Sequence, residues 1–171
     1  TLNKKVTPDE LASAEHVFWS GPIDEYFGGR FGRLGYRTLD FVETETQGDF
    51  QGCPVMNYCD PDVPYTRITE HKHFAPWETH EDTTLYTEYS RLAEEGDIEY
   101  YPIRQVKEKE QLHQYVEAAR SAQKVTFLGR LGTYRYLDMD VTIKEALEVA
   151  DEFLACRRDS RPMTPLVVQP L

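Results

Sequence analysis

The hydrophobic period changes along this chain, and that change limits the folds open to it. From Tyr36 to about Thr46 the period is two: Leu39 and Phe41 share a face with Arg37, while Thr38, Asp40 and Val42 lie on the other. Val55 to Tyr58, Tyr65 to Phe74, Thr84 to Tyr89 and Tyr100 to Arg104 follow as further strand-like runs, parted by turn residues such as Gly48-Asp49 and Asp60-Pro61-Asp62. Short strands at this spacing predict an antiparallel sheet. The period then becomes helical. Leu112, Tyr115, Val116 and Ala119 fall at i, i+3, i+4 and i+7 and predict a helix from about Glu108 to Ala122.

Before the sheet, Thr7-Pro8-Asp9-Glu10 reads as a capping box opening a short helix to about Ala14. His16 to Trp19 reads as a short buried strand, and Ile23 to Phe27 as one helical turn ending at Gly28-Gly29. After the sheet, Val125 to Leu128 is an apolar strand followed by a glycine loop, Gly129 to Gly132. Thr142-x-x-Glu145 is a second capping box, and Ile143, Ala146, Leu147, Ala150 and Leu154 form the apolar stripe of its helix. The predicted class is α+β, a sheet-rich middle flanked by pieces of alternating helix and strand, with a proline-bearing tail from Arg157.

Thirty acidic residues against nineteen basic ones leave a formal charge of -11 over 171 residues. Nonspecific nucleic-acid affinity comes from Lys and Arg releasing counterions, so this balance excludes a nucleic-acid partner. The apolar runs are too short to span a membrane, and no leading basic-then-apolar segment reads as a signal peptide. Three cysteines, Cys53, Cys59 and Cys156, are an odd number, which points to a reducing, cytoplasmic setting. Their spacing lacks the pattern of a structural zinc site. The chain opens on Thr1, which fits either a removed initiator or a piece of a longer protein.

Tyrosines recur beside arginines, as Tyr36-Arg37, Tyr65-Thr66-Arg67, Tyr100-Tyr101 near Arg104, and Tyr134-Arg135-Tyr136. A guanidinium fork with phenol hydroxyls suits phosphate oxygens. The competing reading is that each Arg pairs with an acid and each Tyr fills the sheet. Gly129-Arg130-Leu131-Gly132 leads toward Asp138-Met139-Asp140 and a helix start, a layout that favours negative groups but is also an ordinary connection. His71 and His73, beside Glu70, would share a face if they lay on a strand. Such pairs are commonly surface histidines, and no metal is assigned.

Several strings taken together resemble one family. They are Ser20 to Phe27, Gly35-Tyr36-Arg37-Thr38-Leu39, Pro64 to Lys72, Glu88-Tyr89-Ser90, Tyr100-Tyr101-Pro102 and Gly129 to Asp140. In order and spacing they are similar to the C-terminal part of the bacterial UDP-galactopyranose mutases, from roughly Val17 to Leu154. That resemblance implies a flavin-dependent isomerase interconverting UDP-galactopyranose and UDP-galactofuranose. The N5 of reduced FAD attacks the anomeric carbon, and UDP leaves and returns around a change of ring size. It implies that Arg67 binds the diphosphate, that Tyr101 and Tyr136 hydrogen-bond the phosphates, and that Arg37 and Asn57 lie near sugar or flavin. Arg130, Asp138, Met139, Gly21 and Pro22 would contact the flavin, with Asp138 also counted among the catalytic residues. A homodimer is implied for the complete protein.

No Gly-x-Gly-x-x-Gly fingerprint is present in the chain. The flanking segments are therefore expected to complete a Rossmann-like domain supplied by further polypeptide. The chain alone is expected to be inactive, to retain no FAD and to leave apolar surface open to self-association. Two alternatives stand beside this: an autonomous sugar-nucleotide or anion-binding module using the same Tyr–Arg wall, and a flavin amine oxidase-like protein, which the Thr66-to-His71 and Tyr134-to-Asp140 strings disfavour.

Overall fold

The computed structural model describes Val6, residues 8–104 and residues 106–170. The expected Thr7 cap lies outside the described residues. In chain order the elements are α1 (Pro8–Ser13), β1 (Val17–Trp19), α2 (Ile23–Tyr26), β2 (Tyr36–Gln47), β3 (Val55–Asn57) and β4 (Arg67–Glu70). A 3-10 turn (His71–Phe74), β5 (Asp82–Leu92), β6 (Tyr101–Pro102), α3 (Val106–Arg120), β7 (Val125–Phe127), α4 (Gly129–Gly132) and α5 (Met139–Arg158) follow. The chain divides into two compact units. One runs to Tyr36 and resumes at Tyr101; the other is Arg37–Tyr100.

In the first unit the predicted stripe of α3 is the core. Leu112, Tyr115, Val116 and Ala119 are all fully buried, with Ile23, Val125 and Phe127. Two buried polar groups fix the loop between α2 and β2. The Asp24 carboxylate accepts the Leu34 N–H at 2.9 Å and the Tyr36 hydroxyl at 2.6 Å. The Tyr115 hydroxyl donates to the Gly32 carbonyl at 2.7 Å and accepts the Phe31 N–H. β1 and β7 pair in parallel, with Phe18 opposite Thr126.

Three expectations for this unit are corrected. The strand expected to be buried carries Phe18 at 44% exposure. The glycine loop is the helical turn α4, and its Gly132 is required by close packing: a Cβ there would lie 2.6 Å from the Trp19 carbonyl oxygen. Finally, α5 starts at Met139 with Asp138 as its cap, so Thr142 is inside the helix rather than its boundary. The Thr142 hydroxyl donates to the Asp138 carbonyl, and Glu145 pairs with Arg135 instead of reaching back to cap. That arrangement buries Val149 and Cys156 and turns the apolar stripe outward, leaving Ile143, Leu147 and Leu154 each more than 60% exposed.

The second unit is an antiparallel sheet with β3, β4, β5 and β2 in that order. Alternation puts Thr38, Ile68, Glu70, Thr83 and Leu85 on one face, and all five are buried. Past Leu39 both faces of β2 are exposed. β4 stops at Glu70, so the expected strand to Phe74 is corrected. The 3-10 turn brings Lys72 and His73 back over the Glu70 carboxylate, at 3.7 and 3.4 Å. His71 and His73 therefore share no strand face; the His71 ring lies against Tyr86.

Candidate functional site

Ladder register places Asn57, Arg67, Glu88 and Phe41 side by side across four strands, on the face opposite Ile68, Glu70 and Leu85. Antiparallel neighbours in such a row interact directly. The Arg67 Nε–H donates to Asn57 Oδ1 at 3.0 Å, and its Nη1 lies 3.4 Å from the Glu88 carboxylate. The Arg67 side chain is 40% exposed and Glu88 is nearly buried. Arg37 lies on the same face further along β2. It donates from Nε to the Ser90 hydroxyl at 3.0 Å and from Nη2 to the Ser90 carbonyl at 2.8 Å. All three expected substrate residues of this unit, Arg37, Asn57 and Arg67, thus share one face. Glu88 and Ser90, quoted in the sequence reading only within a family string and given no site role, hold the two guanidinium groups. Their two-residue spacing on a strand is the signal for their common side.

In the first unit Tyr101, Tyr136 and Arg130 form a cluster. The two rings stack at 5.9 Å, and the Arg130 guanidinium lies 4.6 Å from the Tyr101 centroid and 5.2 Å from that of Tyr136. Arg130 Nη2 also donates to the Leu137 carbonyl at 2.6 Å, which ties α4 to the segment leading into α5. Asp138 caps α5 by its backbone, and Met139 is 82% exposed at the helix start. Gly21 and Pro22 follow the Trp19–Ser20 backbone, which packs on α4 at Gly132. Gly21 packs against the Trp19 indole, whose N–H donates to the Pro22 carbonyl at 3.0 Å.

The Tyr–Arg repetition separates into two classes. Tyr36 and Tyr134 are buried structural groups. The Tyr134 hydroxyl lies 2.6 Å from the carbonyls of both Gly35 and Ile103, and burial pushes its pKa up. Arg135 pairs with Glu145, and Arg104 donates to the Pro170 carbonyl. For these residues the plain structural reading holds. Arg37, Arg67 and Arg130 are half-buried and Tyr136 is exposed.

The donor chemistry fits one edge of a flavin nucleotide. The exposed Tyr136 ring offers a flat apolar face, Arg130 a fixed charge, and the start of the 20-residue α5 a set of backbone N–H groups beside it. Two hollows elsewhere, about 530 Å³ at His16, Lys124 and Phe153 and about 630 Å³ at Glu45, His80 and Thr84, contain none of the expected residues. Asp49, Glu70 and His73 bring ligand-type atoms within 4.8 Å of one another. Glu70 already accepts hydrogen bonds from Phe50, Gln51 and Thr83, and their hydrogens would face a cation. No helix among the described residues is long and apolar enough to cross a membrane.

Residues 2–136 match the sequence family described as UDP-galactopyranose mutase. The chain belongs to that family. It is 56% identical over 167 residues to a probable UDP-galactopyranose mutase of Klebsiella pneumoniae, covering 98% of this chain and 44% of the relative. It is 51% identical to a dTDP-fucopyranose mutase of Escherichia coli, over 90% of this chain and 42% of that protein. A UDP-galactopyranose mutase of Mycoplasma pneumoniae is 33% identical over 81% of this chain and 36% of the relative. The chain thus spans less than half the length of these curated relatives. Gly129–Tyr136, which carries the Arg130 cluster, lies inside the matched region, whereas Asp138 and Met139 lie just beyond it.

Proposed function

We propose that this chain is the C-terminal part of an isomerase that interconverts UDP-galactopyranose and UDP-galactofuranose. The observation that carries this reading is the row Asn57–Arg67–Glu88: inside a mutase-family sequence, a partly exposed guanidinium is fixed by a neutral and an acidic neighbour. Arg67, with Arg37 on the same face, takes the diphosphate. Charge grows there as the anomeric bond breaks, so fixed donors act on the transition state. Tyr101 and Tyr136 hydrogen-bond the phosphates, and Asn57 keeps Arg67 aimed. FAD in its reduced form, when bound, supplies the nucleophile for the anomeric carbon. Arg130, Asp138, Met139, Gly21 and Pro22 form part of its cradle, and Asp138 adds a carboxylate near the reacting centre.

The rest of the cradle belongs to a Rossmann-like domain completed by further polypeptide of the mutase. Two features support this. Among the described residues β1 and β7 form a two-stranded parallel sheet, whereas parallel sheets are normally extended and covered on both faces. The outward apolar stripe of α5 is surface that a soluble domain does not leave open without cause. In this reading 39–103 is the substrate sheet domain, 1–38 and 104–156 belong to the flavin domain, and 157–171 is its tail. The complete enzyme is a cytoplasmic homodimer, and the chain alone is inactive and colourless.

A second reading keeps the chemistry and changes the sugar nucleotide to dTDP-fucose. It is favoured by the 51% identity to the Escherichia coli protein of that name. The test is a chromatographic assay of the complete, dithionite-reduced protein with both furanose substrates. Conversion of UDP-galactofuranose in preference supports the first reading, and preference for the dTDP-fucose pair replaces it with the second. Conversion of neither overturns both.

A further inference from the structure

Glu70 has its side chain fully buried on the face of β4 opposite Arg67, and no role at the ligand-facing surface accounts for it. Its two oxygens accept the Phe50 N–H at 3.1 Å, the Gln51 N–H at 2.8 Å and the Thr83 hydroxyl at 2.8 Å. Its own N–H donates to the Pro54 carbonyl at 2.9 Å. The Gln51 side chain adds bonds to the Cys53 and Ile68 carbonyls, and the Asp49 carboxylate accepts the Gly52 N–H. The loop of residues 48–54 is thereby stitched to β4 at both ends. Lys72 supplies positive charge 3.7 Å from the buried carboxylate, and the His73 ring nitrogen lies 3.4 Å from it.

That loop delivers the chain into β3, an edge strand of three residues, all of them exposed. β3 contributes no buried side chain to anchor it, so its height on the sheet depends on the β4 ladder and on the stitched loop. β3 carries Asn57, and Asn57 Oδ1 accepts the Arg67 Nε–H.

We infer that Glu70 is a positioning residue: by fixing loop 48–54 it sets β3, and through Asn57 it sets the direction of the Arg67 guanidinium. As a statement about ligand recognition this rests on the role proposed for Arg67. The coupling itself requires no ligand, and its test uses none.

The experiment is NMR measurement of arginine Nε–H exchange with water in the 171-residue chain. Asn57→Ala is expected to speed Arg67 exchange about ten-fold, the order of effect that loss of one hydrogen bond brings. Glu70→Gln keeps the shape but sets an amide NH2 against a backbone N–H, and is expected to produce the same acceleration. The double variant should be no faster than either single one. Arg91 is the internal control, because its Nε–H is held on Asp40 at 2.8 Å by contacts independent of the loop; its rate should not move. Should Glu70→Gln fail to fold, Thr83→Val removes one of the three donors, and a smaller acceleration at Arg67 is expected.

An unchanged Arg67 rate in the folded Glu70 variant, or in Thr83→Val where that replaces it, overturns the inference. So does equal acceleration at Arg67 and Arg91, which would mean general loosening. A separate UDP titration of Arg67→Ala in the complete mutase judges the ligand role, so the two ideas fail by different observations.

Discussion

The rings of Tyr101 and Tyr136 stack 5.9 Å apart and 20° from parallel, although 34 residues separate them in the chain. Arg130 lies over both. A cation over a solvent-exposed ring contributes about 0.5–1 kcal/mol, more when water is excluded. Arg130→Gln is expected to lower the stability of the chain by about 1 kcal/mol in urea denaturation, and a Tyr101→Leu change should cost less in that background than alone. In the complete mutase the same variant should reduce bound flavin more than Arg67→Ala does, measured by the 450 nm absorbance per protein.

Acid stability should depend on Glu70. Burial disfavours its charge, but the Gln51 and Phe50 N–H groups, the Thr83 hydroxyl and the His73 charge outweigh that and hold its pKa down to about 2. A folded pKa below the unfolded value gives stability that is fully present above about pH 5 and is lost as pH falls through 2. Acid titration followed by circular dichroism should show this slope, and Glu70→Gln should flatten it while lowering stability at neutral pH.

Tyr134→Phe removes a buried hydroxyl that two carbonyls approach at 2.6 Å. The aromatic ring is kept but its hydroxyl donor is lost, so a cost of about 1–3 kcal/mol is expected in thermal or urea unfolding. The substitution should leave the sheet unit intact, as judged by the Arg91 Nε–H resonance.

Leu147 is 63% exposed on the outward stripe of α5. Leu147→Glu is expected to change the stability of the chain by less than about 0.5 kcal/mol, as surface substitutions do. It should also reduce self-association in light scattering at high concentration. In the complete mutase, where the stripe is proposed to be covered, the same change should lower the melting temperature and the yield of folded enzyme.

Much of this was legible in the sequence, and the misses have physical causes. The stripe Leu112, Tyr115, Val116 and Ala119 is buried as its spacing demands, because α3 finds its partners within the chain. The equally clear stripe of α5 is not buried, since periodicity says which residues share a face and not whether anything covers it. The second capping box misplaced the start of α5 because Arg135, ten residues earlier, competes for Glu145. His73 could not be placed by local pattern, as its position follows from a carboxylate whose other partners are Phe50, Gln51 and Thr83. At the site, the Tyr–Arg spacing marked Arg37 and Arg67, the family resemblance alone brought in Asn57, and strand register put all three on one face; Glu88 and Ser90, quoted only within a family string, acquired a role as their partners.

The most direct measurement is calorimetric titration of UDP into the complete protein, wild type against Arg67→Ala. Loss of a charge-assisted contact worth about 1.5–3 kcal/mol corresponds to roughly ten- to hundred-fold weaker binding, and that is the expected result with flavin content unchanged. Equal affinity in the two proteins would contradict the placement of the diphosphate on this face of the sheet.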